Sequence, residues 1–481
     1  MIDHHIDTLF DKARLLAKRA QLPGLAIVVQ HNDQQHFCLY GTQSIDTNMP
    51  LNKHTVFPIS SLTKAMTACL VGILVAQNKL AWDQPVQHIL PDFNPQFTLV
   101  HLVTHTLGLP PYAMDYLGFL GFSSTDMLKA LTHCSQTSAP TEFAYNNLGF
   151  VALEKIIEIT LNCSFERALS RFIFKPLNMQ RSSCGKQAYL QHTNKASPHR
   201  RAFNLKGNAP LALSRFPHQL LGAAGINCSI EDMGKWLKFW THNQHDKLNM
   251  TAQEQAHLTH GVIPCTINAK TGHYAGGWLI EKRASYTINR HTGGFPGITS
   301  FLLTVKEKQL GIGMLCNRSS IIPQKIADIF LQLFIDADYP NTQFAILSPR
   351  ALAHYCFSKV PALGKPKDTA KLIGHYHNPI VGDITITPEL TFGIGPMNYQ
   401  IQLSPFKTNI FKGRFDNHDL QQSLGSMKIK ILQEQAGKAL QLRLYSDKIE
   451  CFMVPEGGRI TFTRCKETKD NSSLNEYKHT S

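Results

Sequence analysis

The chain has 481 residues, of which 43% are hydrophobic and 17% are charged, and its formal net charge is +14. This length exceeds the size at which a single hydrophobic core usually stops growing, so the sequence predicts two domains with ample core. The positive charge is dispersed rather than gathered in a dense basic run, which disfavours nucleic acid as a partner. The longest apolar run, Met66 to Ala76, has 11 residues. Such a run is too short to cross a bilayer.

The cysteines indicate the compartment. Eleven of them are scattered between Cys38 and Cys465 without a C-x-x-C pair. An odd number without regular spacing predicts neither a disulfide framework nor a structural zinc site, and it suits a reducing compartment. The N-terminus, Met1 to His5, has no secretory pattern. We therefore expect a cytoplasmic protein that uses no metal and no cofactor. A periplasmic location stays open if a leader has been trimmed.

The first part of the chain predicts an α/β or α+β domain. Residues Ile6 to Ala20 carry apolar positions at helical spacing, Leu25 to Val29 and Phe37 to Tyr40 predict a strand pair, and Ala65 to Ala76 predicts a buried helix. This order is typical of an antiparallel sheet flanked by helices. Later apolar runs predict further antiparallel strands at Tyr274 to Ile280, Tyr286 to His291, Ser300 to Val305 and Leu310 to Leu315.

The last quarter of the chain has a different residue composition and pattern. Residues 341–370 contain proline and lysine and predict a linker that follows a catalytic domain at 1–340. Short alternating runs within residues 371–467, such as Leu440-Gln441-Leu442-Arg443-Leu444, predict a separate all-β barrel. The polar residues 468–481 predict a disordered tail.

The segment Ser61-Leu62-Thr63-Lys64 leads directly into the predicted buried helix. Residues three apart share one face of an α-helix, so Ser61 and Lys64 would be neighbours. A serine hydroxyl becomes an effective nucleophile when a nearby group takes its proton, and an amine one turn away can do this. The N–H groups at the start of the helix favour negative charge beside Ser61. The segment therefore predicts an acyl-transfer site.

The pattern S-x-x-K is weak evidence by itself because it occurs three times. The second copy, Ser183 to Lys186, contains Gly185, and the third, Ser404 to Lys407, contains Pro405. Both of these inner residues are unfavourable in a helix. From the residues alone, a nucleophile and an ordinary helix-capping serine are equally good interpretations of Ser61.

Two further patterns supply partners. Tyr145-Asn146-Asn147 precedes a predicted helix and offers a candidate base and an amide. His291-Thr292-Gly293-Gly294 predicts a strand that enters a glycine-rich turn, where a backbone N–H can approach a substrate carbonyl. His101 and His105 lie in a predicted short helix. A catalytic role stays open, but we favour a structural one, because short helices often carry histidine and nothing pairs with these two at metal-ligand spacing.

Together, Ser61-x-x-Lys64, Tyr145-x-Asn147 and His291-Thr292-Gly293 occur in the order and at the broad separations of the penicillin-recognising serine hydrolases. The chain resembles in particular the class C β-lactamases and their relatives among D,D-carboxypeptidases, D-aminopeptidases and esterases. The resemblance spans about residues 5–335, and it is specific because the three motifs agree jointly. Residues 371–454 are more loosely similar to the lipocalin-like domain that is appended to some of these hydrolases.

The resemblance implies the catalytic roles. Ser61 would be acylated, and Lys64 and Tyr145 would share the proton transfer, with Tyr145 as the general base. It also implies a set of substrate-binding residues, namely Asn147, His291, Thr292, Gly293 and Gly294. In that set, Asn147 would orient the substrate amide, and the N–H groups of Ser61 and Gly294 would form the oxyanion hole.

One position departs from the β-lactamase pattern. His291 stands where those enzymes typically carry lysine, whose charge helps to bind the carboxylate of a β-lactam. With an ordinary pKa of about 6.5, His291 is expected to act as a pH-dependent anion site if a substrate carboxylate binds there. A Lys270-Thr271-Gly272 sequence also exists, but it precedes Gly276-Gly277-Trp278, so we interpret it as a loop.

The sequence therefore predicts a serine hydrolase that cleaves amide or ester bonds of a small-molecule or peptide substrate through an acyl-serine. The alternative is a non-catalytic binding or scaffold protein with the same fold. Other hydrolase architectures are disfavoured because the sequence has no G-x-S-x-G elbow, no H-E-x-x-H and no P-loop. The substrate and the oligomeric state stay open.

Overall fold

The computed structural model describes residues 2–94, 96–131, 141–201, 207–213, 216–242, 244–259, 263–267, 270–337, 339, 369–407, 409–417, 420, 427–446 and 459–465. The chain divides into two compact units, Met1–Phe357 and Ser358–Ser481. Nearly all of the predicted linker at 341–370 and the whole of the predicted tail at 468–481 lie outside the described residues.

The strands of the first unit are β1 (Gly24–His31), β2 (Gln34–Gly41), β3 (Val56–Pro58), β4 (Ser183–Cys184), β5 (His199–Arg201), β6 (Asn208–Pro210), β7 (Ile226–Ser229), β8 (Ile263–Ile267), β9 (Lys270–Ala275), β10 (Trp278–Lys282), β11 (Thr287–Phe295), β12 (Ile298–Val305) and β13 (Leu310–Cys316). The main sheet has the order β2-β1-β13-β12-β11-β10-β9-β8, and its pairs are antiparallel. Two small sheets, β3-β7-β4 and β5-β6, lie beside it in the chain's first unit.

The helices of the first unit are α1 (Ile2–Arg19), α2 (Thr63–Ala76), α3 (Leu99–Thr104), α4 (Asp115–Phe119), α5 (Ser124–Ala130), α6 (Asn147–Leu161), α7 (Phe165–Leu169), α8 (Lys186–Gln191), α9 (Leu221–Ala224), α10 (Ile230–Thr241), α11 (Ala252–His257) and α12 (Ile322–Phe334). The predicted antiparallel sheet flanked by helices is therefore confirmed.

The main sheet is covered on both faces, and the apolar run of β1 explains how. Ile27 and Val29 point into one core together with the apolar stripes of α1 and α12, for example Leu9 and Phe330. On the opposite face, α10 packs so closely that a Cβ atom at Gly313 of β13 would lie only 2.8 Å from Met233. A strand that is buried on both faces needs apolar residues at consecutive positions, and β1 has them.

The predicted strand at Tyr274 to Ile280 is two strands in the structure. Gly276 and Gly277 both have positive φ angles, of 52° and 85°, and they form the turn between β9 and β10. The interpretation of Lys270-Thr271-Gly272 as a loop is wrong, because these residues belong to β9 and pair with β8. Short hairpins of this kind bury one strand edge against the next, which outweighs the loop-like composition.

The second unit is all-β, as expected. Its strands are β14 (Gly374–Asn378), β15 (Gly382–Ile386), β16 (Thr391–Ile394), β17 (Tyr399–Lys407), β18 (Ile410–Phe415), β19 (Met427–Gln435), β20 (Lys438–Ser446) and β21 (Arg459–Arg464). They form one sheet in the order β15-β14-β21-β20-β19-β18-β17-β16, and its end strands β15 and β16 lie next to each other. The sheet is therefore a near-barrel, which agrees with the predicted lipocalin-like architecture.

Within the described ranges, none of the helices combines the length and the apolar character that a membrane span requires. Eight of the cysteines lie in described residues, and each of these eight is a free thiol.

Candidate active site

Ser61 is held by the small sheet β3-β7-β4. Strand β3 leads through Ile59, whose N–H donates to the carbonyl of Ile226 in β7 at 2.9 Å, into the 3₁₀ turn Ser60–Leu62. Helix α2 begins at Thr63, and neither it nor the turn has a side-chain cap, so Ser61 does not act as a capping serine. The preceding residue, Ser60, has a φ angle of 49°. This left-handed conformation is costly for a residue other than glycine.

Two glycines let strands of the main sheet touch the nucleophile turn. A Cβ atom on Gly293 of β11 would collide with the Ile59 carbonyl and with Ser300, whose hydroxyl donates to that same carbonyl at 2.6 Å. A Cβ atom on Gly277 would collide with the backbone N of Ala65 in the first turn of α2. Glycine is therefore required at both places because backbone meets backbone there. Gly294, the next residue of β11, is exposed.

Lys64 is fully buried and lies one turn after Ser61, as predicted. Its Nζ is 3.1 Å from Ser61 Oγ, 2.6 Å from Asn147 Oδ1 and 3.0 Å from the carbonyl of Ala223 in α9. Burial lowers the pKa of Lys64 to about 7, against a weaker raising effect of the Asp115 charge. The amine is therefore a group that can accept a proton near neutral pH.

Asn147 connects this amine to a buried acid. It is the first residue of α6, whose N-cap Asn146 accepts from the N–H groups of Leu148 and Gly149. The side-chain amide of Asn147 donates to Asp115 Oδ2 at 2.5 Å. Burial raises the pKa of Asp115 to about 7. Two hydrogen bonds thus connect Lys64, through the Asn147 side-chain amide, to the Asp115 carboxyl group.

Tyr145 stands directly before α6 and faces both Ser61 and Lys64. Its phenol shares a side-chain hydrogen bond with Ser61, and its ring centroid is 5.0 Å from Lys64 Nζ. Burial is the largest cause that raises the pKa of Tyr145 well above its ordinary value. The phenol therefore keeps its proton at neutral pH.

His291 of β11 belongs to a chain of buried hydrogen bonds. Its Nδ1 lies 2.8 Å from the carbonyl of Thr292, and its Nε2 lies 3.2 Å from the hydroxyl of Tyr274 in β9. The same hydroxyl is 3.2 Å from Nε2 of His105, whose Nδ1 accepts from the N–H of Asn146 at 3.2 Å. Burial, with Lys64 as the next cause, lowers the pKa of His291 to about 3. The expectation that His291 titrates near its ordinary pKa is therefore wrong.

The structure brings the three predicted motifs together, since Lys64 contacts Ser61 and Asn147, Tyr145 faces both Ser61 and Lys64, and β11 packs on the nucleophile turn. The other two S-x-x-K serines are elsewhere. Ser183 Oγ is 3.0 Å from a ring nitrogen of His192, and Ser404 of β17 donates to the carbonyl of Lys412. Neither hydrogen bond involves a lysine amine.

Sequence reasoning missed Asp115, and it favoured a structural role for His105. Asp115 is the first residue of a five-residue helix, α4, and matches no motif with its neighbours. His105 lies 169 positions from Tyr274, so only the tertiary fold reveals their contact. The Nδ1 of His101 accepts from the N–H of Thr98 at the start of α3. A useful signal for Asp115 would have been its place in an apolar segment, where carboxylates are rare.

Within the described part of the chain, no three His, Cys, Asp or Glu side chains come together in an arrangement that could hold a metal ion.

The sequence profile of the family described as Beta-lactamase matches residues 9–336. The chain belongs to the β-lactamase family. Among curated proteins, a β-lactamase of Providencia stuartii is 26% identical over 357 residues, which cover 66% of this chain and 88% of that protein. Protein flp of Staphylococcus aureus (strain MRSA252) is 24% identical over 341 residues, which cover 68% of this chain. This chain spans 66% of the length of that flp protein, just under two thirds.

Two solved structures support the fold. The octameric penicillin-binding protein homologue from Pyrococcus abyssi has a TM-score of 0.62 at 19% identity, and the match covers 95% of this chain and 99% of that one. The D-amino acid amidase from Ochrobactrum anthropi SV3 has a TM-score of 0.60 at 17% identity, and the match covers 69% of this chain and 99% of that one. At these identities the likeness concerns the fold alone.

Proposed function

We propose that the protein is a serine hydrolase that cleaves an amide or ester bond through an acyl intermediate on Ser61. The observation that carries the proposal is the set of contacts around Lys64 Nζ. Two of its three partners, Asn147 Oδ1 and the Ala223 carbonyl, can only accept, and the third is the Ser61 hydroxyl. A neutral amine has two N–H donors and one lone pair. Its donors suit the two acceptors, which leaves the lone pair for the Ser61 proton.

The protonation states of Lys64 and Tyr145 at neutral pH support Lys64 as the first base. An amine with a pKa of about 7 is partly neutral at neutral pH. It is therefore available to accept a proton and is still basic enough to do so. The Tyr145 phenol holds its own proton under the same conditions, because burial raises its pKa. Our proposal therefore assigns the first proton transfer to Lys64 rather than to Tyr145. Tyr145 would then donate a proton to the leaving group and recover one from Lys64.

In the first half-reaction, Ser61 Oγ forms a bond with the substrate carbonyl carbon while its proton moves to Lys64. The resulting oxyanion would accept from the N–H groups of Ser61 and Gly294, at the start of α2 and on the exposed edge of β11. The bond to the leaving group then breaks, and the leaving group departs with the transferred proton. Water then attacks the carbonyl carbon of the acyl-serine and gives up a proton to the base. The bond to Ser61 Oγ breaks, Oγ takes the proton back, and the acid is released.

We place the substrate amide against Asn147 and β11. One amide hydrogen of Asn147 is engaged by Asp115, and the second is the donor that we assign to the substrate. Thr292 and Gly293 would form the strand edge along which the substrate lies. The names of the relatives, a β-lactamase and a D-amino acid amidase, agree with amide substrates for this chain.

The alternative function is a binding or scaffold protein that keeps this fold without turnover. Incubation with a fluorophosphonate probe, followed by intact-mass and peptide mass spectrometry, distinguishes the two. We expect one adduct, on the peptide that carries Ser61. A panel of a p-nitrophenyl ester, a D-amino acid amide and a β-lactam then identifies the bond that is cleaved. The absence of both an adduct and turnover would favour the scaffold function.

A further inference from the structure

The hydrogen-bond chain from Asn146 to Thr292 has a defined direction. At one end, the backbone N–H of Asn146 can only donate, so His105 Nδ1 must accept and His105 Nε2 must carry the proton. At the other end, the Thr292 carbonyl can only accept, so His291 Nδ1 must carry the proton and His291 Nε2 must accept. The Tyr274 hydroxyl completes the chain, because it accepts from His105 and donates to His291.

This arrangement leaves one protonation state that satisfies every buried atom. If His291 gained a second proton, its Nε2–H would point at the Tyr274 oxygen, which already accepts from His105. The hydroxyl hydrogen of Tyr274, a fully buried residue, would then lose its acceptor. A buried donor without a partner is costly. The geometry therefore opposes an imidazolium at position 291.

Burial and the nearby Lys64 lower the pKa of His291, whereas the hydrogen bond to the Thr292 carbonyl raises it. The titratable groups that face His291 are Lys64 of α2, His105 at the end of α3, Tyr145 before α6 and Tyr274 of β9. The first of these is a potential cation, and the others are neutral aromatic or imidazole groups. The whole His291 residue is 6% exposed.

We propose that His105 and Tyr274 are positioning residues that hold His291 as a neutral imidazole with no free N–H, so that the site selects substrates without a carboxylate beside the leaving group. This inference rests on the proposed serine hydrolase function for its substrate part. The positioning part is independent of turnover, because it concerns the protonation of a single ring.

The substrate test uses two esters that differ in one charge. A 3-carboxyphenyl ester and the corresponding 3-carbamoylphenyl ester share the acyl group and the shape of the leaving group. For the wild-type protein we expect a higher kcat/KM for the carbamoyl ester. We also expect the ratio of the two values to follow the same pH dependence from pH 5.5 to 8 as in His291→Gln, because Lys64, whose pKa is about 7, gains charge in both proteins as the pH falls. A ratio that moves further towards the carboxylate ester in the wild type than in His291→Gln as the pH falls would overturn the proposal, since it would reveal a charged His291.

His291→Lys tests whether position 291 faces the leaving group at all. Where the introduced amine is protonated, it should raise the preference for the carboxylate ester by about tenfold or more, which is the effect of a charged hydrogen bond. An unchanged ratio in His291→Lys would overturn the substrate part.

The positioning part is tested by NMR of protein with labelled histidines, with the His291 signal assigned from a His291→Gln variant. In the wild type we expect the Nδ1–H tautomer and no titration between pH 5 and 8. Tyr274→Phe removes the hydroxyl that donates to Nε2, so the Nε2 signal of His291 should shift to that of a ring nitrogen without a donor, while burial, the largest cause of the lowered pKa, persists. Tyr189→Phe is the matched control, because Tyr189 is a buried tyrosine of α8 whose hydroxyl donates to the Ala196 carbonyl.

The outcomes separate the two proposals. Failure of both esters and of the fluorophosphonate probe would reject the hydrolase function but leave the NMR result to decide the positioning role. A His291 signal that titrates near pH 6.5 in the wild type, or one that behaves alike in Tyr274→Phe and Tyr189→Phe, would overturn the positioning role. Thermal unfolding of both tyrosine variants checks that the comparison is made between folded proteins.

Discussion

The two large sheets of this chain fill their interiors in different ways. The near-barrel of the second unit is packed with alternating apolar side chains, such as Ile384, Phe392 and Leu442, and Asn378 is the one buried polar residue among those described there. The main sheet of the first unit packs against a region that buries Lys64 and Asp115 together. The apolar interior of the near-barrel is what stability alone selects. The interior of the first unit, in contrast, contains ionisable groups whose burial is unfavourable.

This contrast between the two interiors supports a functional site in the first unit. Burying an ionisable group costs free energy unless it is paired or changes its protonation state. Lys64 and Asp115 have both moved their pKa values to about 7, from opposite directions. Groups that are perturbed in this way cluster at functional sites. The presence of such groups beside a serine in a strained turn supports the active site that we propose.

The largest effect that we expect comes from the serines themselves. Ser61→Ala should remove both acylation and turnover, because no other hydroxyl contacts Lys64 Nζ among the described residues. Ser404→Ala lies in the near-barrel, and Ser183→Ala removes a hydroxyl that bonds to His192. Both should keep activity close to wild type. Labelling of Ser61→Ala at the wild-type level would contradict the assignment and weaken the contrast between the two units.

Tyr145→Phe should fold normally and lose roughly 10²- to 10⁴-fold in kcat, the usual contribution of a proton-transferring side chain. The phenyl ring keeps the packing against Lys64, whereas the hydrogen bond with Ser61 is lost. Single-turnover measurements of acylation and deacylation reveal which step slows. A loss of less than tenfold would leave the whole proton transfer to Lys64.

Asp115→Asn tests the buried acid through the pH profile. Activity should rise with pH as Lys64 loses its proton, and the charge of Asp115 raises the pKa of Lys64. Removing that charge lowers the pKa, so the rising limb of kcat/KM should move to lower pH. Glu154→Gln is the control, because Glu154 is also buried with a pKa raised to about 7 but accepts from the Gly222 N–H. A limb that stays in place in Asp115→Asn would separate Asp115 from catalysis.

Ser60→Gly addresses the strained turn. Glycine adopts a positive φ without the steric cost that Ser60 bears, so the free energy of unfolding should increase by about 1 kcal/mol. The Ser60 hydroxyl has no hydrogen-bond partner in the described structure, so little is lost with it. Ser60→Ala, which removes the hydroxyl and keeps the strain, is the matched control. Equal stability of the two variants in urea denaturation would assign the effect to the hydroxyl.

The smallest effect on the chemistry should come from removing the second unit. Residues 366–470, expressed alone, are expected to unfold cooperatively, because the near-barrel has its own apolar core. The remaining chain should keep its reactive Ser61, whereas its preference among substrates tests the role in substrate access that the resemblance implies. A non-cooperative unfolding transition of residues 366–470 would show that the near-barrel does not fold independently.

Local patterns predicted a large part of this fold. The apolar spacing of α1 and the apolar run of α2 needed only neighbouring residues. Strands β16, β17 and β18 were missed because they are polar on one side and β17 contains Pro405. Their pairing partners compensate for that composition, and no single segment carries this information.

The site divides in the same way. Ser61 and Lys64 lie one helical turn apart, so their contact follows from spacing. The contact between Asn147 and Asp115 joins the first residues of α6 and α4, which lie 32 positions apart, so only the tertiary fold reveals it. The lowered pKa of His291 needed even more, because it depends on burial and on the nearby Lys64, which only the tertiary fold supplies. Protonation follows from surroundings, which residue types alone do not specify.

The backbone contacts at Gly293 and Gly277 also bear on how the protein is made. They join the nucleophile turn to strands that are synthesised more than two hundred residues later. Contacts of such separation form late, because a long loop must close first. A nascent chain that has emerged only as far as α6 therefore contains Ser61, Lys64 and Tyr145 without the strand edge that completes their site. Reactivity at Ser61 should thus begin only when β11 has joined the sheet.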